Sequence, residues 1–348
     1  MSKSIRISVI LLSTLCVACS SNKKQDSATI GETEKITINA EQKEKIKVKI
    51  KLTNLERDLL NIRTREDVAN FLKKNNDIAS TYMELPNAHK EAPFVEQLYQ
   101  MYSHPAFKEF CNSVINYYGD YSDVKAQLEE AFTYIKYYYP DYKVPEIKTI
   151  VTGFKFNKDF YFSDSLIIIS IDYFMGNRSK YRPDLFQYML KRYDKPYLVP
   201  MIVTAISTKF NLSNTEDNTM LSEMIYYGKA HYFLERVLPN LPDSLNIQYS
   251  DKELREAHKY SHVIWGHFIE KKLFYETNHM EKQRYTGESP KVYVIGDNCP
   301  GRIGRWLGWQ IVRKYMLENP HVTLQQLMQN KNAEEIFKKS KYKPSGKS

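Results

Sequence analysis

The chain has 348 residues, of which 42% are hydrophobic and 26% are charged, a composition typical of a globular protein. Its formal net charge of +9 is spread along the sequence rather than clustered, which argues against a nucleic-acid partner. Apart from one short run near the N-terminus, no apolar stretch approaches the length of about 18 residues that a membrane-spanning helix needs.

The N-terminus has the layout of a bacterial lipoprotein signal. Lys3 and Arg6 supply positive charge, and the apolar run that follows, 7–17, is too short to span a bilayer as a mature helix. Ala18 then lies directly before Cys19. Lipoprotein signals are cleaved between such a small residue and a cysteine that is acylated. We therefore expect the signal to be removed and Cys19 to carry the lipid.

The predicted lipid indicates the compartment as well as the anchor. Several acyl chains hold a protein stably at a membrane, because each buried CH₂ contributes about 0.8 kcal/mol. Cys16 stands where such signals usually have Leu, so an ordinary secretory signal is the alternative. Either signal exports the chain, and with Cys19 acylated we expect a cell-envelope protein that is lipid-anchored to the inner or the outer membrane and faces the periplasm.

The change in composition along the chain predicts four segments. Residues 1–18 are the signal, and residues 19–45 are the lipidated cysteine and a polar tether that cannot bury enough apolar surface to order itself. Residues 46–344 form one globular domain without an internal linker, and residues 345–348 are a tail. The tether would let the domain reach a short distance from the membrane.

The domain is predicted to be α+β, predominantly helical with a small β-sheet. Alternating apolar and Lys residues predict a half-buried strand at 46–52, and β-branched runs predict two more at 148–156 and 165–173. Thr64 with Asp67 three residues later predicts the start of a first helix. Further helices are predicted at 94–102, 106–118, 123–138, 183–192, 196–209, 217–237, 251–275, 302–318, 323–330 and 332–339.

Two cysteines are left in the mature chain besides Cys19. Cys111 and Cys299 are an even pair in an oxidising compartment, where disulfides form and persist. A bridge between them would close a long loop and add about 4–5 kcal/mol of stability. Two separate buried thiols are the alternative, since the sequence contains nothing about their distance.

No catalytic or metal-binding motif is found among the histidines. His258 and His262 alone have the i, i+4 spacing that places two side chains on one helix face. Lys259 follows His258, so the glutamate that activates water in zinc peptidases is missing. We therefore predict no metal, no cofactor and no catalytic residue.

A glycine- and tryptophan-rich stretch near the C-terminus offers two interpretations. Gly301, Gly304 and Gly308 lack the spacing and the following Lys-Ser/Thr of a phosphate loop. Glycines on a helix also let it approach a neighbour closely, and Trp306 and Trp309 would fill the space beside them. We favour packing for Gly304, Trp306, Gly308 and Trp309.

Five stretches of the mature chain match a known family pattern. The most specific are MIYYGKAHYFL at 224–234 and GRIGRWLGWQIVRKYM at 301–316. The others are LIIISIDYFMG at 166–176, YLVPMIV at 197–203 and FKKSKYKP at 337–344. Together with the lipoprotein signal, they resemble the gliding motility lipoprotein GldB family of the Bacteroidetes over nearly the whole mature chain.

This family is similar to zinc-dependent peptidase-like proteins that carry His-Glu-x-x-His and a later Glu-Gly. On that pattern the resemblance places Met201, Ile202 and Ala205 at the first motif, and Tyr227 and Gly228 at the second. None of them restores a tetrahedral zinc site. The resemblance thus implies a degenerate zinc-metallopeptidase scaffold, a pseudo-peptidase, with a candidate binding groove at Met201, Ala205, Tyr227 and Gly228.

The resemblance also implies a function. It points to a membrane-anchored, non-enzymatic component of the gliding motility apparatus, associated with type IX secretion, whose partners are protein components of that machinery. Because fold does not imply function, two alternatives stay open. One is an envelope hydrolase, peptidase-like, with an unrecognised or degenerate metal site, and the other is a lipoprotein that binds a solute or a lipid.

Overall fold

A computed structural model describes residues 38–344 of the chain. The predicted signal, Cys19, most of the tether and the tail, 345–348, lie outside the described residues. The described residues form an α+β fold with sixteen α-helices and a four-stranded sheet, which confirms the predicted fold class. None of these helices combines the length and the apolar character needed to cross a bilayer.

The elements occur in the following order. The helices are α1 (Ala40–Lys45), α2 (Glu56–Leu60), α3 (Arg65–Lys74), α4 (Ala92–Ser103), α5 (Pro105–Tyr118), α6 (Ser122–Tyr138), α7 (Gln187–Leu190), α8 (Lys195–Ser207), α9 (Met220–Val237), α10 (Asp243–Ile247), α11 (Asp251–Lys259), α12 (Ser261–Glu270), α13 (His279–Thr286), α14 (Ile303–Glu318), α15 (Leu324–Gln329) and α16 (Ala333–Ser340). The strands are β1 (Leu52–Asn54), β2 (Glu146–Ile150), β3 (Phe160–Phe162) and β4 (Leu166–Ser170).

The sheet has the order β1-β2-β4-β3, with β1, β2 and β4 parallel and β3 antiparallel at one edge. In the register, Ile147 of β2 lies between Leu52 of β1 and Ile167 of β4. All five residues of β4 are buried, as its run of isoleucines predicts for a strand covered on both faces. The carboxyl ends of the three parallel strands therefore meet at one edge of the sheet.

The predicted strand at 46–52 does not form, and β1 begins only at Leu52. Two backbone amides in this segment bond to side chains of α6 instead of to a neighbouring strand. The N–H of Val48 donates to the hydroxyl of Thr133 at 3.1 Å, and that of Ile50 donates to the carboxylate of Glu129 at 3.2 Å. The alternating pattern thus reflects an extended segment that packs on a helix.

The two β-branched runs form shorter strands than their composition predicts. Strand β2 ends at Ile150, because Gly153 and Phe154 adopt positive φ angles of 59° and 62° and turn the chain away. Strand β4 ends at Ser170, where a 3₁₀ turn, Ile171–Phe174, takes over. Strand β3 is only three residues long and was not predicted.

The observed helices agree with the sequence-based prediction better than the strands do, because the residues that cap a helix lie next to it in the sequence. Thr64 and Asp67 form a reciprocal capping box at the start of α3, as predicted. The predicted helix at 251–275 is broken into α11, α12 and a 3₁₀ turn, Leu273–Tyr275. Helices α1, α2, α10 and α13 were not predicted.

Ordered structure begins earlier than the predicted domain boundary at residue 46. Helix α1 is capped by Asn39, whose side chain accepts from the amide of Gln42, and Ile38 is buried. The ammonium of Lys43 lies 2.9 Å from the carboxylate of Glu130 on α6. The last residues of the segment assigned to the tether therefore pack on the domain.

The disulfide alternative for Cys111 and Cys299 is wrong, because both are free thiols. Cys111 is buried on α5 and its thiol donates to the carbonyl of Glu56 at 3.4 Å. Cys299 lies in the loop before α14, and its thiol faces the carbonyl of Pro300 at 3.8 Å. Burial raises the pKa of both thiols to about 12, so they are protonated at neutral pH.

Candidate functional site

The most family-specific stretches meet at the crossing of α9 and α14. Gly228 and Gly308 face each other there, and a Cβ added to either would overlap backbone of the other helix. The carbonyl of Met224 is the atom that Gly308 approaches. The two glycines therefore set the distance between the helices, which for Gly308 is the packing role favoured from the sequence and for Gly228 is not the binding role implied by the resemblance.

Trp306 and Trp309 fill the space beside this crossing, with exposed fractions of 1% and 0%. The indole N–H of Trp309 donates to the carboxylate of Glu235, and the guanidinium of Arg313 lies 3.8 Å from the centre of the Trp309 ring. Arg313 also bonds Glu235 at 2.6 Å. Burial raises the pKa of Glu235 even with Arg313 beside it.

Gly304 lies against α13, where an added Cβ would be 2.9 Å from a methyl group of Thr286.

Lys229, the residue after Gly228, is a buried cation held by backbone oxygens. Its ammonium donates to the carbonyls of Leu212 at 2.5 Å, Asn330 at 2.8 Å and Met328 at 3.3 Å. Its exposed fraction is 2%, and burial lowers its pKa to about 8. Lys229 thus ties α9 to the end of α15, and these motif residues hold the core rather than offering a binding surface.

The residues of the predicted groove have different surroundings. Met201 and Ala205 are half-buried on α8, and Ala205 lines a cleft of about 240 Å³. Tyr227 is half-buried on α9, with the guanidinium of Arg305 over its ring at 4.2 Å. Gly228 is buried against α14 and offers no surface to a ligand. The groove inferred from the peptidase pattern therefore lacks Gly228.

The histidine pair does not share a helix face. Helix α11 ends at Lys259 and α12 begins at Ser261, so His258 and His262 lie on different helices. The ring of His258 meets the ring of Trp306 edge to face at 5.3 Å. Between residues 38 and 344, no three His, Cys, Asp or Glu side chains are grouped as a metal site requires.

Two buried carboxylates lie where the parallel strands end. Asp172, with an exposed fraction of 1%, accepts from the Ser170 hydroxyl at 3.0 Å and from the amide of Thr152 at 3.2 Å. Glu56, which is equally buried, faces the hydroxyls of Thr149 and Tyr121. Burial raises the pKa of Asp172 to about 6 and that of Glu56 to about 7. This edge is closed to solvent, so the ionisation of these carboxylates affects the stability of the fold.

We expect Glu56→Gln to flatten the pH dependence of stability. A carboxyl group whose pKa is raised by folding stabilises below its unfolded pKa of about 4.5, and this contribution is lost as the pH rises through about 7. The wild-type protein should therefore lose about 3 kcal/mol over that window through this group. Urea unfolding at a series of pH values measures the effect, and an equal slope in the variant would contradict it.

Two further clefts lie within residues 38–344. One, of about 380 Å³, lies between α6, the start of α8 and the turn after α9. Its charged residues are paired with each other or with α1, as in Lys195 with Asp123 at 2.6 Å and Lys43 with Glu130 at 2.9 Å. Such neutralised surfaces attract a charged partner only weakly.

The second cleft, of about 260 Å³, is lined mainly by apolar side chains and is called the groove below. It lies between α12 and the loop before α14. The lining residues are Glu256, Tyr260, Val263, Ile264, Ile295, Gly296, Asp297, Asn298, Cys299 and Pro300.

The loop side of the groove is an ordered hairpin, 291–300. Lys291 and Pro300 form an antiparallel bridge, and the N–H of Val292 donates to the carbonyl of Cys299 at 3.0 Å. Tyr293 and Val294 at its tip are 64% and 56% exposed. On the helix side, Tyr260 and Val263 are 38% and 42% exposed. Exposed apolar residues around a cleft are typical of protein interaction surfaces.

The base of the hairpin is held by a cluster of arginines around Glu288. Arg192 binds the Glu288 carboxylate with both terminal nitrogens, at 3.2 and 2.7 Å, and Arg305 approaches it at 3.7 Å. Burial would raise the pKa of Glu288, but Arg192 and the charge of Arg302 lower it. These ion pairs therefore fix the position of the base of the hairpin.

Comparison with known families assigns the chain. The family model described as gliding motility protein GldB matches residues 37–344. The chain belongs to the GldB family. No curated protein and no solved structure matches it, so the likeness of this GldB-family member to zinc peptidases stays a prediction.

Family membership supplies the general function. The GldB family is a family of gliding motility lipoproteins, so this member has a role in gliding motility and a lipid-anchored location in the cell envelope. The groove was not predicted from the sequence. The apolar run Tyr293–Ile295 between Pro290 and Pro300 was the available signal, because a short apolar run inside a proline-bounded loop has little core to join.

Proposed function

We propose that this GldB-family protein acts without catalysis, as a periplasm-facing interaction component of the gliding apparatus that is associated with type IX secretion. The single observation that carries the proposal is the groove, with Tyr260 and Val263 exposed in its lining and Tyr293 and Val294 exposed in the hairpin that supplies its other side. Large apolar side chains in contact with water are unfavourable. Burying them against a partner stabilises the complex by about 25 cal/mol per Å² of apolar area removed from water.

The order of the hairpin supports a protein partner further. A tyrosine held on a rigid element buries a large area on binding with little loss of side-chain freedom. Tyr293 is such a residue, because the backbone bonds of the hairpin and the cluster around Glu288 fix its position. The lipid anchor keeps the protein near membrane-bound partners, which raises their effective concentration.

The hydrolase alternative has less support. The residues that would serve it best, His258 and His262, lie on different helices, and the ring of His258 packs on Trp306. Non-catalytic binding explains the exposed apolar walls of the groove, whereas hydrolysis does not require them. We therefore propose binding alone.

The pair Val263→Ser and Tyr293→Ser tests the proposal. We expect cells that carry only this variant to lose most of their gliding while the protein is present at wild-type abundance, because the groove lining and the adjacent hairpin each lose an exposed apolar side chain. Single-cell tracking on glass measures gliding, and immunoblotting measures abundance.

Phe186→Ser with Leu317→Ser is the matched control, since these side chains are 71% and 58% exposed and lie elsewhere in the chain. Control cells should glide normally. Normal gliding of the groove variant at normal abundance would contradict the proposed interaction surface.

A further inference from the structure

We infer that the groove takes a protein segment whose apolar side chains are flanked by lysine or arginine. This inference rests on the function proposed above and specifies its partner. The charges at the groove identify this partner, because the apolar contacts alone do not determine which apolar segment binds.

The charged residues that line the groove are both acidic. Glu256 on α11 and Asp297 in the hairpin are lining residues on its two sides. Neither carboxylate forms an ion pair with another residue between 38 and 344. In the 380 Å³ cleft, by contrast, Asp123 and Glu130 are both paired with lysines. The groove therefore presents two negative charges that have no ion-pair partner among the described residues, beside an apolar floor.

The two lysines next to this surface, Lys259 and Lys291, form no ion pair with its carboxylates and do not line the cleft. The ammonium of Lys259 lies over the ring of Tyr260, 4.9 Å from its centre, and makes no ion pair with Glu256. The charged side chains that line the cleft itself are therefore both negative. A basic segment is attracted to such a surface and an acidic one is repelled, so the two carboxylates select the partner as well as bind it.

The floor of the groove fits the apolar part of the same segment. Ile264, Cys299 and Pro300 are buried and form its base, with Val263 and Ile295 above them. A volume of about 260 Å³ is enough for one or two aliphatic side chains rather than for a helix of several turns. A lysine or arginine next to such an anchor can reach either wall, because its side chain is long and flexible.

The test is selection of a random peptide library displayed on phage against the full chain in detergent. Selected peptides should combine apolar residues with lysine or arginine more often than the starting library does. The charge-reversed variant, Glu256→Lys with Asp297→Lys, should bind the selected peptides about tenfold more weakly or worse. Asp184→Lys with Glu216→Lys, two exposed acids outside the groove, is the matched control and should bind them as the wild type does.

The outcomes separate the two proposals. Selected peptides that depend on Val263 and Tyr293 but show no excess of basic residues, or that bind the charge-reversed variant equally well, would overturn the inference and leave the interaction surface standing. If the selected peptides bind the Val263→Ser, Tyr293→Ser variant as well as the wild type, the groove is not their site and both proposals fail.

Discussion

Gly308→Ala is expected to prevent the domain from folding stably. The added methyl group would lie 2.0 Å from the carbonyl oxygen of Met224 on α9, and a Cβ at the opposing Gly228 would lie 2.4 Å from the carbonyl oxygen of Gly308. Both contacts are with backbone, so no side-chain rotation relieves them and the two helices must separate. Overpacking a core costs about 1–3 kcal/mol where side chains can adjust, and we expect more than about 3 kcal/mol here.

Urea unfolding, or the yield of soluble protein where folding fails, measures this effect. Gly266→Ala is the matched control, because Gly266 lies within α12 with open space around its Cα. That change should stabilise the protein by about 0.5–1 kcal/mol through helix propensity. If Gly308→Ala unfolds at the same urea concentration as the wild type, the close crossing of α9 and α14 is wrong.

Lys229→Met should cost about 2–4 kcal/mol of stability. Methionine has a similar length but donates no hydrogen bond, so the carbonyls of Leu212 and Asn330 would lose the ammonium that they accept from. Met328 would keep one bond, because its carbonyl also accepts from the amide of Leu212. The loss is reduced by the cost of burying the ammonium itself, which is visible in the pKa of Lys229, lowered to about 8.

Lys209→Met is the control for Lys229→Met. Lys209 is bonded to Asp164 at 2.7 Å, but Asp164 is 99% exposed, and such surface pairs contribute about 0–1 kcal/mol. The two variants can be compared by the midpoint of thermal unfolding at neutral pH. Equal midpoints would show that Lys229 does not hold α9 to the end of α15.

Much of the fold could be predicted because its determinants are local. The capping box of Thr64 and Asp67 lies within four residues, and the isoleucine run of β4 marks a buried strand by itself. The segment 46–52 was misassigned because its amides bond to Thr133 and Glu129, which are about 80 residues away. The alternation of apolar and polar residues contains no information about such a partner.

The packing of the motif residues could be predicted from local sequence, whereas the groove could not. Helical spacing in the stretch 301–316 was enough to favour close packing for Gly308 and Trp309. The groove joins α12 to a hairpin that is separated from it by α13, and its acids come from two different elements. Which apolar residues stay exposed depends on how α12 and the hairpin pack, so composition alone could not identify Tyr293 or Val263.

Photo-crosslinking in living cells tests the central claim most directly. A photoreactive benzoylphenylalanine at position 293, at the tip of the hairpin, should give a discrete crosslink to one protein, and the same residue at position 186 should not. Both positions are exposed aromatic residues in the wild type, at 64% and 71%. Equal crosslinking patterns at the two positions, or none at position 293 in cells that glide, would contradict the claim that this surface binds a protein of the gliding apparatus.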